Sequence, residues 1–177
     1  MEKVSGEVGF PGVNPDNNNI LYKRRVLWHP HRSVCGTLVR KWDFQVINPV
    51  DPEGSPLQRG QWLAPFLLSV HDHNTLYLGK QFLYRTRDEG KTWEKISEDL
   101  TFNNENETGD INYHAIFAIG ESPLKRGLLY VGTDDGRLHV TRDDGETWTE
   151  LSETPILMWS LKGEHLQPLK REEVLLP

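Results

Sequence analysis

The feature that most constrains this chain is a nine-residue stretch that occurs twice. Arg85-Thr86-Arg87-Asp88-Glu89-Gly90-Lys91-Thr92-Trp93 returns as Val140-Thr141-Arg142-Asp143-Asp144-Gly145-Glu146-Thr147-Trp148, with both Asp and both Trp 55 positions apart. The flanks repeat as well. Glu94-Lys95-Ile96-Ser97 follows the first copy and Thr149-Glu150-Leu151-Ser152 the second; an aromatic segment ending in Gly precedes each, Leu76-Tyr77-Leu78-Gly79 and Leu129-Tyr130-Val131-Gly132. A fainter third copy opens the chain, where Asn14-Pro15-Asp16-Asn17-Asn18-Asn19-Ile20-Leu21-Tyr22 parallels His71-Asp72-His73-Asn74-Thr75-Leu76-Tyr77, with Tyr22 and Tyr77 again 55 apart. That copy has a strand-like Gly36–Asp43 but lacks the nine-residue motif. Fixed-period self-similarity marks a repeat architecture, in which each unit buries its apolar surface against its neighbours.

Each copy reads as β structure. Trp62–Ser69 and Tyr113–Ile119 have the short apolar pattern of a buried first strand; second strands pass through Tyr77 and Tyr130, and third strands through Phe82–Thr86 and Leu138–Thr141. The repeated motif then forms a hairpin into a fourth strand. Four short strands in a period of about 40 to 55 residues are the signature of a propeller blade. The expected fold is therefore all-β: an incomplete β-propeller of about two full four-stranded blades plus a partial N-terminal blade. Residues 1–61 are read as the degenerate blade and linker, 62–100 as a blade, 101–112 as a linker, 113–154 as a second blade and 155–177 as an irregular tail. Pro and Gly in Asn48–Pro56, and the polar run from Glu98 to Asp110, carry the linker signals. Closure takes about four to eight blades, so an open arc with exposed blade faces is expected, with either self-association through those faces or poor solution behaviour.

The residue types of the motif follow from the turn they must make. Gly90 and Gly145 supply positive φ. Asp88 and Asp143 accept hydrogen bonds from backbone N–H groups of the turn. Thr86 and Thr141 lead into it, Thr92 and Thr147 return to a strand, and Trp93 and Trp148 cover the hairpin with an apolar face. These ten positions are read as scaffold rather than as catalytic groups.

Composition narrows the function. A net charge of −6 over 177 residues gives no general attraction to nucleic acid or anionic membrane. The longest apolar run, around Ala64–Leu68, is strand-sized, so no membrane insertion is expected. Met1–Gly6 lacks the apolar stretch of a signal peptide. The single Cys35 excludes an intrachain disulfide and a cysteine metal cage.

The motif and its flanks resemble the Asp-box (BNR) repeat propellers, and more narrowly the bacterial sortilin-like propeller proteins often labelled glycosyl hydrolases. Ser69–Gly79 looks like that family's SPHDPNTLYxG, with Val70 in place of Pro; Ile96–Thr101 is similar to its ISPDLT, and Ala118–Pro123 with Tyr130–Gly136 to its xIAESP and YVGTDDG. The resemblance is dense from Trp62 to Ser152 and absent after Thr154, where the family continues into another blade; the tail is read as a truncated or frameshifted end or as a short helix. It implies a secreted or periplasmic propeller.

Candidate chemistry is sparse. Xyloglucanase relatives use two separated carboxylates for inverting hydrolysis, and no pair here maps onto those positions. Sialidases need an arginine triad and a Tyr–Glu nucleophile; Arg24, Arg25 and Arg40 lie outside such a context. Asp134-Asp135-Gly136 reads as a hairpin turn. His71-Asp72-His73 has metal-like spacing but no third ligand, and His29-Pro30-His31 is weaker. Lys23-Arg24-Arg25 reads as a solvated basic face, and Asn106-Glu107-Thr108 as a glycosylation sequon of little meaning outside a secreted eukaryotic protein. No metal and no cofactor is expected, and no phosphate loop or nucleophile elbow occurs. The leading functional reading is a non-catalytic scaffold or binding surface for protein or glycan. The alternatives are a piece of a BNR-repeat glycoside hydrolase whose carboxylates lie on other blades, and an assembly factor like the related propellers that assist photosystem assembly.

Overall fold

In the computed structural model, residues 12–23, 37–40, 43–49, 59–61, 64–103 and 114–152 are described. They form twelve strands in three antiparallel sheets and, among the described residues, no helix. Blade 1 holds β1 (Gly12–Val13), β2 (Ile20–Lys23), β3 (Thr37–Arg40) and β4 (Asp43–Val46); blade 2 holds β5 (Phe66–Leu68), β6 (Leu76–Gly79), β7 (Leu83–Thr86) and β8 (Glu94–Lys95); blade 3 holds β9 (Ile116–Glu121), β10 (Leu129–Thr133), β11 (Leu138–Thr141) and β12 (Thr149–Glu150). Each sheet runs in chain order, as a meander. The N-terminal copy thus also has four strands, and its difference lies between the third and fourth: Arg40 of β3 pairs with Asp43 of β4, whereas residues 87–93 separate β7 from β8.

The first strands are shorter than the apolar runs suggested. Pro65 has no N–H to give a ladder and Phe66 is where pairing with Leu78 begins. In blade 3 the register between β9 and β10 shifts at Gly132/Thr133, which makes Phe117 the extra residue of a bulge and leaves it 66% exposed.

The apolar core lies between sheets rather than within one. Ile20, Tyr22, Ile47 and Leu76, with Phe66, Leu68 and Trp93 against them, fill the seam between blades 1 and 2. Tyr77, Leu83, Ile96, Leu100, Ile116, Leu129 and Val131, with Leu67, Ile119 and Trp148, fill the seam between blades 2 and 3. Alternation along a strand sends neighbouring side chains to opposite faces, so Leu76 serves one seam and Tyr77 the other. All four residues of β6 are buried, whereas β10 alternates, with Leu129 and Val131 buried and Tyr130 exposed. A sheet covered on both faces buries every side chain; one covered on a single face buries every second one.

The stretch Glu98–Asn103, taken from its polar composition as linker, is packed where it is described. Leu100 and Thr101 are buried, Leu100 N–H donates to the Gln81 carbonyl, and the Leu100 carbonyl lies 2.8 Å from His139 Nε2.

Candidate functional site

The two motif hairpins have the same internal bonding. Thr86 Oγ1 accepts from Gly90 N–H at 2.9 Å and donates to Asp88 Oδ1 at 2.8 Å. Asp88 also accepts from Thr92 N–H at 2.9 Å and from Thr92 Oγ1 at 2.6 Å. In blade 3 Thr141, Asp143, Gly145 and Thr147 repeat this, with Gly145 N–H to Thr141 Oγ1 at 2.9 Å, Thr147 N–H to Asp143 Oδ1 at 2.9 Å and Thr147 Oγ1 to Asp143 Oδ2 at 2.5 Å. Hydrogen bonds from the Thr92 and Thr147 side chains, then from neighbouring donors, lower the pKa of Asp88 and Asp143 to about 2. The turn takes two consecutive left-handed residues: Glu89 (φ 61°) before Gly90 (85°), and Asp144 (62°) before Gly145 (97°).

The hairpins also dock on the preceding blade, which the spacing of their residues does not reveal. A Cβ on Gly90 would come within 2.4 Å of Ile47 Cβ, and one on Gly145 within 2.8 Å of the Ile96 carbonyl oxygen. Trp148 Nε1–H donates to that carbonyl at 2.9 Å. Asp144, one residue before the glycine, reaches across the seam: Arg85 Nη1 lies 2.6 Å and Arg87 Nη2 3.0 Å from its carboxylate, and Tyr77 O–H donates to it at 3.2 Å. Arg85, 8% exposed, is held on its other side by Glu94 at 2.7 Å. Burial and then the charge of Asp144 raise the Tyr77 pKa, so the phenol stays a donor. A mixed-charge groove runs along this seam between Glu94–Leu100 and Asp143–Trp148.

In a meander the first–second and third–fourth turns share one end of the blade. There the first–second loops repeat in all three blades: Asn14 N–H donates to the Ile20 carbonyl, Ser69 to Thr75 and Ser122 to Leu128, at 2.9–3.0 Å. The side chain of each loop-opening residue accepts from the N–H two positions on. These loops bond to one another. His71 Nε2 lies 2.8 Å from the Ser122 carbonyl of blade 3, and Glu121 accepts from Ser69 Oγ and Val70 N–H. His73 Nδ1 lies 2.8 Å from Asp16 of blade 1, and Asn14 donates to the His73 carbonyl. The two imidazoles bond to opposite neighbours and do not converge on one point. Among the described residues no group of three or more His, Cys, Asp or Glu could hold a metal ion.

At the opposite end Asp134-Asp135-Gly136 forms the β10–β11 turn, with Gly136 at φ 92°. Asp134 accepts from Ala115 N–H at 2.9 Å and from the Gln61 amide. Asp135 accepts from Thr133 Oγ1, from Phe102 N–H at 2.8 Å and lies 2.8 Å from His114 Nδ1. Burial opposes the Asp135 charge, but these donors outweigh it and hold the pKa below the ordinary value. Arg59 joins the cluster through Asp99 at 2.5 Å and Thr101 at 3.2 Å. Sequence reasoning singled out Asp134 and Asp135 and missed Arg59, Gln61, Asp99 and His114, which reach the cluster from elsewhere in the chain. Phe102, 62% exposed, stands beside it under the Arg137 guanidinium at 4.9 Å.

His29, His31, Arg24, Arg25, Cys35, the sequon Asn106–Thr108 and residues 155–177 lie outside the described residues, as do the side chains of Lys23 and Arg40.

No family model and no curated protein matches the chain. Among solved structures, a GH74 xyloglucanase from Xanthomonas campestris aligns over 81% of this chain with a TM-score of 0.51 and 20% identity. The chain folds as an incomplete β-propeller. It spans 23% of the xyloglucanase's length, so the likeness is one of blade architecture. YCF48 bound to D1 peptide is similar over 81% of this chain and 79% of its own, with a TM-score of 0.25 and 13% identity. No helix among the described residues is long and apolar enough to cross a membrane.

Proposed function

We propose that this chain is a non-catalytic propeller segment of the Asp-box, sortilin-like kind, acting as a scaffold and binding surface for protein or glycan. The observation that carries this reading is the state of Asp134 and Asp135. All four of their carboxylate oxygens are engaged by donors of the fold: Ala115, Gln61, Thr133, and Phe102 with His114. A glycosidase needs one carboxyl group held protonated and a second free to act on water or sugar. Here Asp72, Asp88, Asp135, Asp143 and Glu150 all have pKa values lowered, the wrong direction for a general acid. The motif residues have bonding tasks of their own, which leaves recognition to loops and exposed side chains.

Phe102 and Phe117, exposed near the end of the blades that carries Asp134 and Asp135, are the contact residues of this reading. An aromatic face beside polar groups suits both a sugar ring and a peptide side chain. Calorimetry with xyloglucan oligosaccharides and a peptide library screen, each repeated with Phe102→Ala and Phe117→Ala, test it. Binding that either substitution weakens at least ten-fold supports the proposal. The hydrolase alternative places its carboxylates on blades outside this chain. Reducing sugar released from xyloglucan by this chain alone would overturn the non-catalytic reading.

A further inference from the structure

The seams set up a series of three. Tyr22, Tyr77 and Tyr130 hold the same place on the second strand of blades 1, 2 and 3, and their exposures are 1%, 3% and 42%. Ile47, Ile96 and Leu151 follow the fourth strand in the same order; the first two are 4% and 7% exposed, while Leu151 is only half-buried. Leu151 is placed as Ile96 is: Ile96 N–H donates to the Leu83 carbonyl and Leu151 N–H to that of Leu138. Ser97 Oγ accepts from Leu83 N–H and Ser152 Oγ from Leu138 N–H, both at 2.8 Å. The first two members of each series are covered by the next blade, whose hairpin sets its glycine on the isoleucine. In the second seam the hairpin also aims an indole N–H at the Ile96 carbonyl and a carboxylate at the Tyr77 hydroxyl. Blade 3 presents the receiving groups of that contact a third time.

We propose that the outer face of blade 3, centred on Tyr130 and Leu151, is a docking surface for a further propeller blade. The chemistry of that blade is stated by the existing seam. It brings a third–fourth hairpin with a left-handed acidic residue to accept from Tyr130 O–H, a glycine to lie on Leu151, and a Trp to donate to the Leu151 carbonyl. A second copy of this chain does not meet these terms. Its two such hairpins are already seated, Gly90 on Ile47 and Gly145 on Ile96, and in its N-terminal blade Arg40 of β3 pairs with Asp43 of β4, too close in sequence for a hairpin of that length. The surface continues an interface geometry already present in the molecule, and it is separate from the Phe102 region invoked above.

The test extends the full chain by a second copy of residues 98–152 placed directly after Ser152, which keeps the repeat in register. Nitration of tyrosine by tetranitromethane, read by peptide mass spectrometry, reports on the face. Tyr130 should react at least ten-fold more slowly in the extended chain, and changing the appended copy of Asp144 to Ala should restore much of that reactivity. Equal reactivity of Tyr130 with and without the added blade overturns the proposal. A second measurement needs no extension: in the unaltered chain Tyr130 must react at least ten-fold faster than Tyr77. Equal protection of the two overturns the proposal and assigns the face to another occupant. Loss of that protection on removing residues 153–177 then identifies the chain's own C-terminal segment, and loss of it on dilution identifies a second copy.

Discussion

Gly145 shows how one position answers to two constraints. Its φ of 97° is one that L side chains rarely adopt, and a Cβ there would press on the Ile96 backbone of the neighbouring blade. Strain of the first kind costs about 1–3 kcal/mol and overpacking a similar amount. Gly145→Val should therefore lower stability by about 3 kcal/mol or more, read from urea denaturation; an unchanged midpoint would dismiss both constraints. Asp88 and Asp143 give a pH test. Their folded pKa values, about 2, lie below the ordinary value near 3.9 for an unfolded aspartate. Between those values the unfolded chain binds more protons, so stability rises with pH there: the contribution is present above about pH 4 and is lost as pH falls towards 2. Glu150, held to about 2 by Arg137, titrates in the same window with the same sign. Denaturation curves from pH 2 to 5 should show this slope, and Asp143→Asn should flatten it.

At the scale of the element, the sequence made the hairpins legible because their bonds are local. Thr86, Asp88, Gly90 and Thr92 contact one another within seven positions, so a spacing argument reaches them. The strand β6 was legible for a similar reason, its apolar run ending at Gly79 where the ladder does. What crosses a seam was not. Asp144 meets Arg85 across 59 positions and His71 meets Ser122 across 51, and no local pattern in the sequence records either meeting. The His71-Asp72-His73 segment is an example: its spacing is metal-like but offers no third ligand, and the partners that make the loop a bridge between two neighbours lie 51 and 57 positions away. Zinc added to the protein should accordingly leave its melting temperature unchanged. His71→Ala should lower stability by about 1 kcal/mol, the net value of one hydrogen bond. A melting temperature raised by zinc, with the rise abolished by His71→Ala, would instead place a metal on this loop.

For the whole molecule, a row of sheets joined through their faces and their end loops has no single centre. Each blade contacts its neighbours, and stability is distributed as blade terms plus seam terms. Blade 2 contributes to both described seams, with Leu76 in one core cluster and Tyr77 and Leu83 in the other. Blade 3 contributes to one. The same residue type at the same place should therefore carry different energies in the two blades. Leu83 is fully buried, while Leu138, which occupies its position in blade 3, is only half-buried. Leu83→Ala removes a side chain enclosed between sheets and should cost about 3–5 kcal/mol, in the range for enclosed leucines. Leu138→Ala empties a site already open on one side and should cost less than half of that. Amide hydrogen exchange should follow the same order, slowest in β6 and β7 and faster in β10 and β11, because opening blade 2 breaks two seams and opening blade 3 breaks one. Equal costs for the two leucine substitutions, together with uniform exchange across blades 2 and 3, would mean that the outer face of blade 3 is covered as completely as the faces of blade 2.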